Sequence, residues 1–186
     1  MEDTDIALMS RIKKGDTKAF EMLLFRHQRS VYNLAFRFLN DEGEAEDITQ
    51  EVFIRVYRAA KTYTPQAKFT TWLYTIVKNL CFNAIRNKKS AEIVPIDDEA
   101  IPEIASKGDD PSEILSKGQI KERVIKAVNA LPENLRIAVI LMKFQGLSCE
   151  EVGNILGCSV NAVKLRVHRA KEYLSRELGD LKGETK

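Results

Sequence analysis

The segment that decides the fold is Leu147–Leu174, which reads LSCEEVGNILGCSVNAVKLRVHRAKEYL. Ser148 is placed to cap a short helix over residues 149–156, with a glutamate three positions later, as in a capping box. Gly157-Cys158-Ser159 predicts a tight turn, and Gly153 is small enough to let the flanking helices approach closely. Two helices joined by a glycine-containing three-residue turn have the spacing of a helix-turn-helix.

The second helix of this motif, from about Val160 to Leu178, has two different faces. The apolar positions that are predicted to pack inward are Val160, Val163, Val167, Ala170 and Leu174. The outward positions are Asn161, Lys164, Leu165, His168, Arg169 and Glu172, with Arg166, Lys171 and Arg176 at the flanks. Arginine and lysine donate to guanine, asparagine pairs with adenine, and an apolar side chain contacts the thymine methyl. Because a solvated basic helix leaves Leu165 unexplained, the outward face favours reading of duplex DNA.

Two more helices are predicted before this motif. The first is marked by apolar spacing at Ile120, Val124, Ala127, Val128 and Leu131. The next begins after Pro132, at Glu133, and is apolar nearly all round from Leu135 to Phe144, as expected of a buried helix. The second module, residues 116–186, is therefore predicted to be entirely helical.

An acidic segment, residues 93–115, separates this module from the first one, residues 1–92. It holds seven acidic residues against one lysine, and three of the five prolines of the chain. Proline removes backbone donors and like charges oppose collapse, so we expect an extended or irregular linker. Fully extended, a segment of this length spans at most about 75–80 Å, which would allow the modules to sit two DNA turns apart.

A long amphipathic helix opens the first module. Its apolar stripe consists of Phe20, Leu23, Leu24, His27, Val31, Leu34 and Phe38. His27 has no second metal-ligating residue beside it, so a packed core histidine is favoured over a metal ligand.

The next helix, about Glu44 to Lys61, follows a strongly acidic stretch. Residues 41–54 carry six carboxylates and no basic side chain. The outward face of the helix holds Asp47, Gln50, Glu51, Ile54, Arg55 and Arg58. Spacing leaves two interpretations open: a solvated face with one stray isoleucine, or a docking surface whose carboxylates meet a basic partner.

A proline-containing loop, Tyr63–Phe69, leads into a helix over about residues 70–88. The side of this helix away from its apolar core positions carries Trp72, Thr75, Lys78, Asn79, Phe82, Asn83 and Arg86. Aromatic rings stack on unpaired bases, amides read base edges, and cations hold phosphate, so this mixture suits single-stranded nucleic acid. The alternative is that the aromatic side chains, Trp72 above all, belong to the core.

Composition narrows the class of protein further. The chain has 186 residues, of which 44% are apolar, with 29 Lys plus Arg against 27 Asp plus Glu. This balance indicates a soluble folded protein; no apolar run is long enough to cross a bilayer. The acidic start, Met1–Asp5, is unlike a signal peptide, so we expect a cytoplasmic protein. Three cysteines without CxxC or CxxH spacing, Cys81, Cys149 and Cys158, predict buried thiols rather than disulfides or a zinc site.

Four motifs taken together resemble one family, the bacterial extracytoplasmic-function (ECF) sigma factors. They are DITQEVF at 47–53, FTTWLYTI at 69–76, LPENL at 131–135, and the segment at 147–174. Their order and spacing match over nearly the whole chain. The resemblance implies an all-α fold with two small helical domains, sigma-2-like and sigma-4-like, joined by the acidic linker.

The resemblance also assigns roles within the first module. It implies that Asp47, Gln50 and Glu51, with Arg55, dock on the beta-prime coiled coil of core RNA polymerase. Together with the helix face described above, it predicts that the residues at the melted minus-ten DNA are Tyr63, Lys68, Trp72, Lys78, Asn79, Asn83 and Arg86. Among these, Tyr63, Lys68 and Asn79 match positions that hold a flipped base, whose lost stacking the protein must replace.

In the second module the resemblance implies minus-thirty-five duplex reading and contact with the polymerase beta flap. Lys164, His168 and Arg169 become base readers, while Arg166 and Lys171 contact phosphate. The chain departs from the family pattern at Asn161 and Leu165, which leaves the identity of the upstream element open.

The resemblance further implies a monomer that binds promoter DNA and core polymerase, with an anti-sigma protein as a common partner in this family. The acidic linker resembles the segment that follows the RNA exit channel. No P-loop, GxSxG or HExxH motif is present in the sequence, so we expect no catalytic residue, metal or cofactor.

Two other classes stay open from the residues alone. A classical regulator would share the helix-turn-helix but bind duplex DNA as a dimer, which leaves the Tyr63–Arg86 surface unexplained. A small nuclease would need a metal-binding carboxylate cluster, for which the run from Asp41 to Glu51 is the candidate.

Overall fold

The computed structural model describes residues 3–91 and 117–179, and every regular element within these ranges is an α-helix. In chain order they are α1 (Asp5–Lys13), α2 (Thr17–Leu39), α3 (Glu42–Ala59), α4 (Phe69–Ala91), α5 (Lys117–Asn129), α6 (Glu133–Phe144), α7 (Cys149–Leu156) and α8 (Val160–Glu177). The all-α prediction is confirmed. The predicted linker, residues 93–115, lies outside the described residues.

Side-chain caps set where many of these helices begin. An oxygen of the residue before the helix accepts a hydrogen bond from a backbone N–H three residues later at Thr4, Asp16, Asp41, Ser148 and Ser159. The capping box predicted for α7 is present, since Glu151 also accepts from the Ser148 N–H at 2.9 Å. The sequence analysis identified the cap at Ser148, whereas the caps at Thr4, Asp16, Asp41 and Ser159 were not predicted.

The turn between α7 and α8 depends on two glycines. Gly157 ends α7 with φ 65°, in the left-handed region that favours glycine. A Cβ placed on Gly153 would lie 2.8 Å from the backbone oxygen of Cys158, closer than real contacts allow. The close approach predicted at Gly153 is therefore confirmed, and the helix-turn-helix is held by backbone packing at this point.

Helices α1 to α4 form the first bundle. The sequence analysis did not predict α1, which buries Leu8, Met9 and Ile12 against α2. Asp5 anchors it, with a carboxylate oxygen 2.6 Å from Arg26 Nη1 and the other 3.0 Å from His27 Nε2. His27 is buried, so the prediction of a core histidine is confirmed.

Helices α5 to α8 form the second bundle, with α6 at its centre. Residues 137–141 of α6 are all buried, as predicted for this helix. Two side chains depart from prediction: Phe144 is 46% exposed at the end of α6, and Val160 is 37% exposed rather than packed inward. Val160 is the first residue of α8, where no preceding turn covers it.

The two bundles pack against each other through α4 and α7. One continuous apolar core runs from α1 to α8, including Leu73 and Val77 of α4 and Val152 and Ile155 of α7. The hydroxyl of Tyr74 donates to Gln145 Oε1 across this contact at 3.0 Å. The sequence predicted two modules divided by an acidic linker, and it did not predict this contact between them.

The thiols are only partly as predicted. Cys81 is fully buried, and burial raises its pKa to about 12. Cys149 and Cys158 are half-buried, because α7 and its turn lie near the surface. In the part of the chain that the structure describes, no helix is both long and apolar enough to cross a bilayer.

Candidate nucleic-acid interfaces

The outward face of α8 is a candidate surface for duplex DNA. The predicted readers Asn161, Lys164, His168 and Arg169 are all exposed on it, and Leu165 is 50% exposed. Val163, Val167 and Ala170 face the core, which fixes the rotation of the helix about its axis. The structure therefore brings the predicted base readers together on one solvent-facing surface.

The basic face of α8 also carries one carboxylate, Glu172. Glu172 Oε2 lies 3.5 Å from His168 Nδ1, one helical turn away. Both side chains are well exposed, so the pair is weak and leaves the imidazole able to turn towards a base. Lys171 is exposed beside it and suits a phosphate contact.

Arg166 behaves differently from the other predicted contacts on α8. Its side chain is half-buried, and its Nη1 donates to Cys158 Sγ at 3.4 Å. It lines a cleft of about 460 Å³ between the bundles together with Lys78, Phe82 and Glu133. In this arrangement Arg166 faces the first bundle rather than the open DNA-reading surface.

A second candidate surface surrounds the loop before α4. An open cavity of about 360 Å³ is lined by Thr62, Tyr63, Gln66, Thr71, Trp72 and Thr75 among others. Hydroxyl and amide groups beside aromatic rings provide stacking together with hydrogen bonding, the combination that captures an unpaired base. The space is open on one side, which suits a base on a continuous strand.

An aromatic cluster forms the wall of this cavity. The ring centroid of Trp72 lies 4.9 Å from that of Tyr63 and 5.6 Å from that of Phe69. Phe69 is buried, while the other two rings are half-buried and border the cavity. Trp72 therefore packs against the core and also presents part of its ring to the cavity, so both interpretations of its spacing stay open.

Tyr63 has an unusual hydroxyl. The oxygen is buried and has no hydrogen-bond partner in the structure, and burial together with the charge of Asp5 raises the pKa of the phenol. Tyr63 thus stays neutral, and its hydroxyl is a buried donor without an acceptor in the described structure.

The predicted polar residues of α4 are spread beyond the cavity. Asn79, Asn83 and Arg86 are exposed further along the helix, and Arg86 Nη2 donates to Asn83 Oδ1 at 3.2 Å. None of these three lines the cavity, whereas Thr62, Gln66 and Thr71 do, although the sequence analysis did not select them. For Thr62 and Gln66 the signal was their position in the loop beside Tyr63; Thr71 lies in the first turn of α4 and gave no signal in the sequence.

The two predicted lysines of this surface both contact the second bundle. Lys68 Nζ lies 2.9 Å from Glu151 Oε1, and Lys78 Nζ donates to the Ile155 carbonyl at 3.1 Å. Partial burial lowers the pKa of Lys78. In the described structure each of these lysines therefore has an acceptor on α7, although Lys68 remains largely exposed to solvent.

The acidic face of α3 lies on another side of the first bundle. Asp47, Gln50 and Arg55 are exposed on it, and Arg55 Nε lies 2.7 Å from Glu51 Oε1. Ile54 is 44% exposed and is not an isolated apolar residue. It borders a largely apolar groove of about 600 Å³ between α2 and α3, lined by Phe20, Leu24, Gln50, Phe53, Ile54 and Tyr57 among others.

A groove of this kind favours the docking interpretation of α3. Apolar surface supplies affinity when a partner helix covers it, and charges at the rim set orientation. The sequence analysis did not select Tyr57, which is 48% exposed and lines this groove. The groove forms only where α2 packs beside α3, so the spacing along α3 alone does not reveal it.

The carboxylates from Asp41 to Glu51 do not converge. Asp41 caps α3, Glu44 lies 2.7 Å from Lys88 Nζ, and Glu51 pairs with Arg55. Among the described residues, no three histidine, cysteine or acidic side chains are grouped so as to hold a metal ion.

Comparison with known proteins adds family relationships to this geometry. Two family models match: Sigma-70 region 2 over residues 23–91, and Sigma-70, region 4 over residues 121–174. The first covers the cavity and the acidic face, and the second covers the helix-turn-helix. The chain is also 34% identical over 188 residues to the ECF RNA polymerase sigma-E factor of Escherichia coli (strain K12), a match that covers 96% of each chain.

Solved structures show the same architecture. CnrH in complex with the cytosolic domain of CnrY superimposes with a TM-score of 0.72 at 25% identity, covering 96% of this chain and 99% of that one. The sigma factor RpoE in complex with the anti-sigma factor NepR, from Bartonella quintana, gives a TM-score of 0.66 at 25% identity. That match covers 87% of this chain and 98% of the other.

Proposed function

The chain belongs to the ECF sigma factors of RNA polymerase, which act in transcription initiation, and we propose that it selects promoters through two separate DNA contacts. One contact captures a melted minus-ten strand and the other reads a minus-thirty-five duplex. The observation that carries the proposal is the presence of two chemically different surfaces on one chain: an aromatic, hydroxyl-lined cavity and an exposed basic helix face.

Duplex reading is assigned to α8. Lys164, His168 and Arg169 are the base readers, with Asn161 and Leu165 on the same exposed face. Support comes from the buried positions Val163 and Val167, which orient this face away from the core. Arginine and lysine can donate to guanine, and Leu165 can contact a thymine methyl, so this face is able to read both kinds of base pair.

Single-strand capture is assigned to the loop and first turns of α4. A flipped base enters the cavity beside Tyr63 and Trp72, and the hydroxyl and amide groups around it supply hydrogen bonds. Lys68 and Lys78 hold the phosphates, and Asn79, Asn83 and Arg86 contact the strand further along the helix. Extruding a base costs a few kcal/mol, which stacking in the cavity replaces.

Core polymerase docks on α3. The carboxylates of Asp47 and Glu51 meet basic groups of the beta-prime coiled coil, with Gln50 and Arg55 completing the polar rim. The apolar groove beside Ile54 and Tyr57 receives the side chains of that partner. The second bundle meets the beta flap, and residues 93–115 follow the RNA exit path.

No catalytic step belongs to this chain in the proposal. Nucleotidyl transfer is carried out by the polymerase in the cytoplasm, and the sigma factor contributes position and strand separation. Two weak DNA contacts become strong together because the core enzyme fixes their separation. We therefore expect the free monomer to bind promoters poorly.

An anti-sigma protein is the expected regulator. A relative of similar fold, RpoE of Bartonella quintana, was solved with the anti-sigma factor NepR. The apolar groove between α2 and α3 suits such a protein, because a partner that covers it excludes the polymerase.

The experiment that tests the proposed function is in-vitro transcription from a randomised promoter library. Purified chain is mixed with bacterial core polymerase, and the transcripts are sequenced. Chain-dependent initiation at sites that share two spaced elements is expected. If the chain directs no initiation and instead binds duplex DNA tightly by itself, a dimeric regulator replaces this proposal.

A further inference from the structure

The cleft between the two bundles has the size of a small-molecule site. Its volume is about 460 Å³, and sites for small ligands have volumes of about 300–1,000 Å³ and favour the contacts between domains. Helices of both bundles supply the side chains that line it, among them Lys78, Phe82, Glu133, Asn134, Leu156 and Arg166. The cleft is therefore large enough for a ligand of nucleotide size.

Arg166 brings to this cleft a guanidinium that lacks a strong acceptor. Its side chain is half-buried, and its Nη1 donates to Cys158 Sγ at 3.4 Å. A thiol sulfur is a weak acceptor, whereas the guanidinium has five N–H donors in a planar fork. Among the described residues, no carboxylate lies within salt-bridge distance of Arg166. Most of its hydrogen-bonding capacity is thus unused.

Lys78 is in a similar state on α4. It is half-buried, its Nζ donates to the Ile155 carbonyl at 3.1 Å, and burial lowers its pKa. It too has no carboxylate within salt-bridge distance in the part of the chain that the structure describes. Two partly desolvated cations without an anion are costly, and a bound anion offsets that cost. Phosphate suits both, because its oxygens match the arginine fork and also accept from lysine.

The apolar lining of the cleft suits an aromatic ring. Phe82 and Leu156 are half-buried in it, and Ile137 lies buried beneath. The ring centroid of Phe82 lies 6.0 Å from Lys78 Nζ, so a phosphate on the lysine and a ring against Phe82 fit within one ligand. Asn134, at the start of α6, adds an amide that both donates and accepts. A phosphate beside an aromatic ring and polar groups is the composition of a nucleotide.

Glu133 is the lining residue that opposes an anion. Its side chain is exposed, and it forms no ion pair with Lys78 or Arg166. It therefore does not take the place of a phosphate, and its charge repels one at close range.

We propose that this cleft binds a small phosphate-bearing ligand of the nucleotide class. The phosphates lie between Arg166 and Lys78, and the base packs against Phe82 and Leu156. No lining residue is shared with the cavity beside Tyr63 or with the groove between α2 and α3. Binding needs neither polymerase nor promoter DNA, so it is testable apart from the proposed function.

Isothermal titration calorimetry with the full-length chain tests the site. The probes are ATP, GTP, inorganic triphosphate and adenosine, at one fixed ionic strength. We expect at least one of the two nucleotides to bind about tenfold more tightly than inorganic triphosphate, since a stacked base adds about 1–3 kcal/mol, and adenosine to bind more weakly than both. Equal affinity for the nucleotides and inorganic triphosphate would overturn the nucleotide assignment. Absence of binding by every probe would overturn the site itself.

Two variants of α8 locate the binding. Arg166→Gln removes the cation of the cleft, and we expect it to weaken nucleotide binding about tenfold or more. Arg169→Gln removes the same charge from the exposed face of the same helix and is expected to leave nucleotide affinity unchanged. Equal weakening by the two variants would mean that nucleotides collect on the open basic face, and the cleft would not be a site.

Glu133→Gln separates the site from damage to the fold. Removing this charge is expected to raise nucleotide affinity about two- to fivefold, a gain that misfolding does not produce. Glu122→Gln, exposed on α5 and outside the cleft lining, is the matched control and should change nothing. Unchanged nucleotide affinity in both Arg166→Gln and Glu133→Gln would overturn the proposal and leave the proposed function standing.

Discussion

At the scale of single residues, Gly153 shows how backbone packing holds the helix-turn-helix. The Cys158 N–H donates to the Gly153 carbonyl at 3.0 Å, and the Cys158 oxygen lies where a side chain at 153 would begin. Glycine at this position thus permits both the turn and the contact.

Gly153→Ala is predicted to destabilise the second bundle. The clash is with a backbone oxygen that cannot turn away, so overpacking is expected to cost about 2–3 kcal/mol; better helix propensity returns about 1 kcal/mol, and the net loss in free energy of unfolding is about 1–2 kcal/mol. Urea denaturation measures it. Asn154→Ala, at the exposed next position, is the control, and equal stability of the two variants would contradict this account.

Lys164 and Arg169 carry the prediction for duplex reading. Changing either to alanine is expected to cost about 1–3 kcal/mol in promoter binding by the holoenzyme and to relax specificity upstream. Binding to core polymerase should be unchanged. Arg176→Ala, further along the same helix, is the matched control. Loss of core binding instead of promoter specificity would show that this face is assigned wrongly.

Asn79 carries the prediction for strand capture. It is exposed on α4 beyond the cavity, so Asn79→Ala should spare folding and duplex binding by the holoenzyme but reduce promoter opening. Permanganate reactivity of melted thymines measures opening. Asn87→Ala, two turns further along, provides the comparison. Normal reactivity in the Asn79 variant would remove this residue from the strand-binding surface.

At the scale of secondary structure, the faces of α3 and α8 were predictable because spacing along one helix fixes which side chains share a face. The groove beside Ile54 and the cavity beside Tyr63 were not, since each needs side chains from a second element. Helix α1 was not predicted because it is only nine residues long and has three buried residues, Leu8, Met9 and Ile12, which is too short a pattern to show a helical period.

Charge reversal on α3 tests the docking face. The double variant Asp47→Lys with Glu51→Lys is expected to weaken association with core polymerase, because both carboxylates would become like charges to a basic partner. A pull-down with core enzyme measures it. Glu21→Lys, an exposed reversal on α2, should leave association intact. Full retention by the double variant would favour the solvated-face interpretation.

Helix α7 has a pH dependence that follows from Glu151. Its pKa falls from the ordinary 4.5 to about 2, because the Ser148 N–H and then Lys68 stabilise the carboxylate. A lowered pKa in the folded state adds stability above the unfolded value, and that stability is lost as the pH falls from 4.5 towards about 2.

Glutamine has no carboxyl group to titrate. Glu151→Gln should therefore remove the part of the acid-induced loss of stability that Glu151 causes. The variant is expected to be less stable than the unchanged chain at neutral pH, with the gap closing as the pH falls below 4.5. Urea midpoints across that range measure the gap. A constant difference at all pH values would mean that the ion pair and cap do not depend on the charge of Glu151.

At the scale of the whole molecule, sequence predicted two helical modules but not their contact. Tyr74 and Gln145 are 71 positions apart, on either side of the acidic segment, so no local pattern joins them. The same contact explains why Lys68 and Lys78, selected as strand-binding residues, meet protein acceptors in the described structure.

Promoter opening is the measurement that tests the central claim most directly. Permanganate footprinting on a library-selected promoter is carried out with core polymerase alone, the chain alone, and both together. The account predicts reactive thymines at the minus-ten element only when both are present, and weak promoter binding by the free chain. Tight duplex binding by the chain alone, with no opening when core polymerase is added, would contradict it.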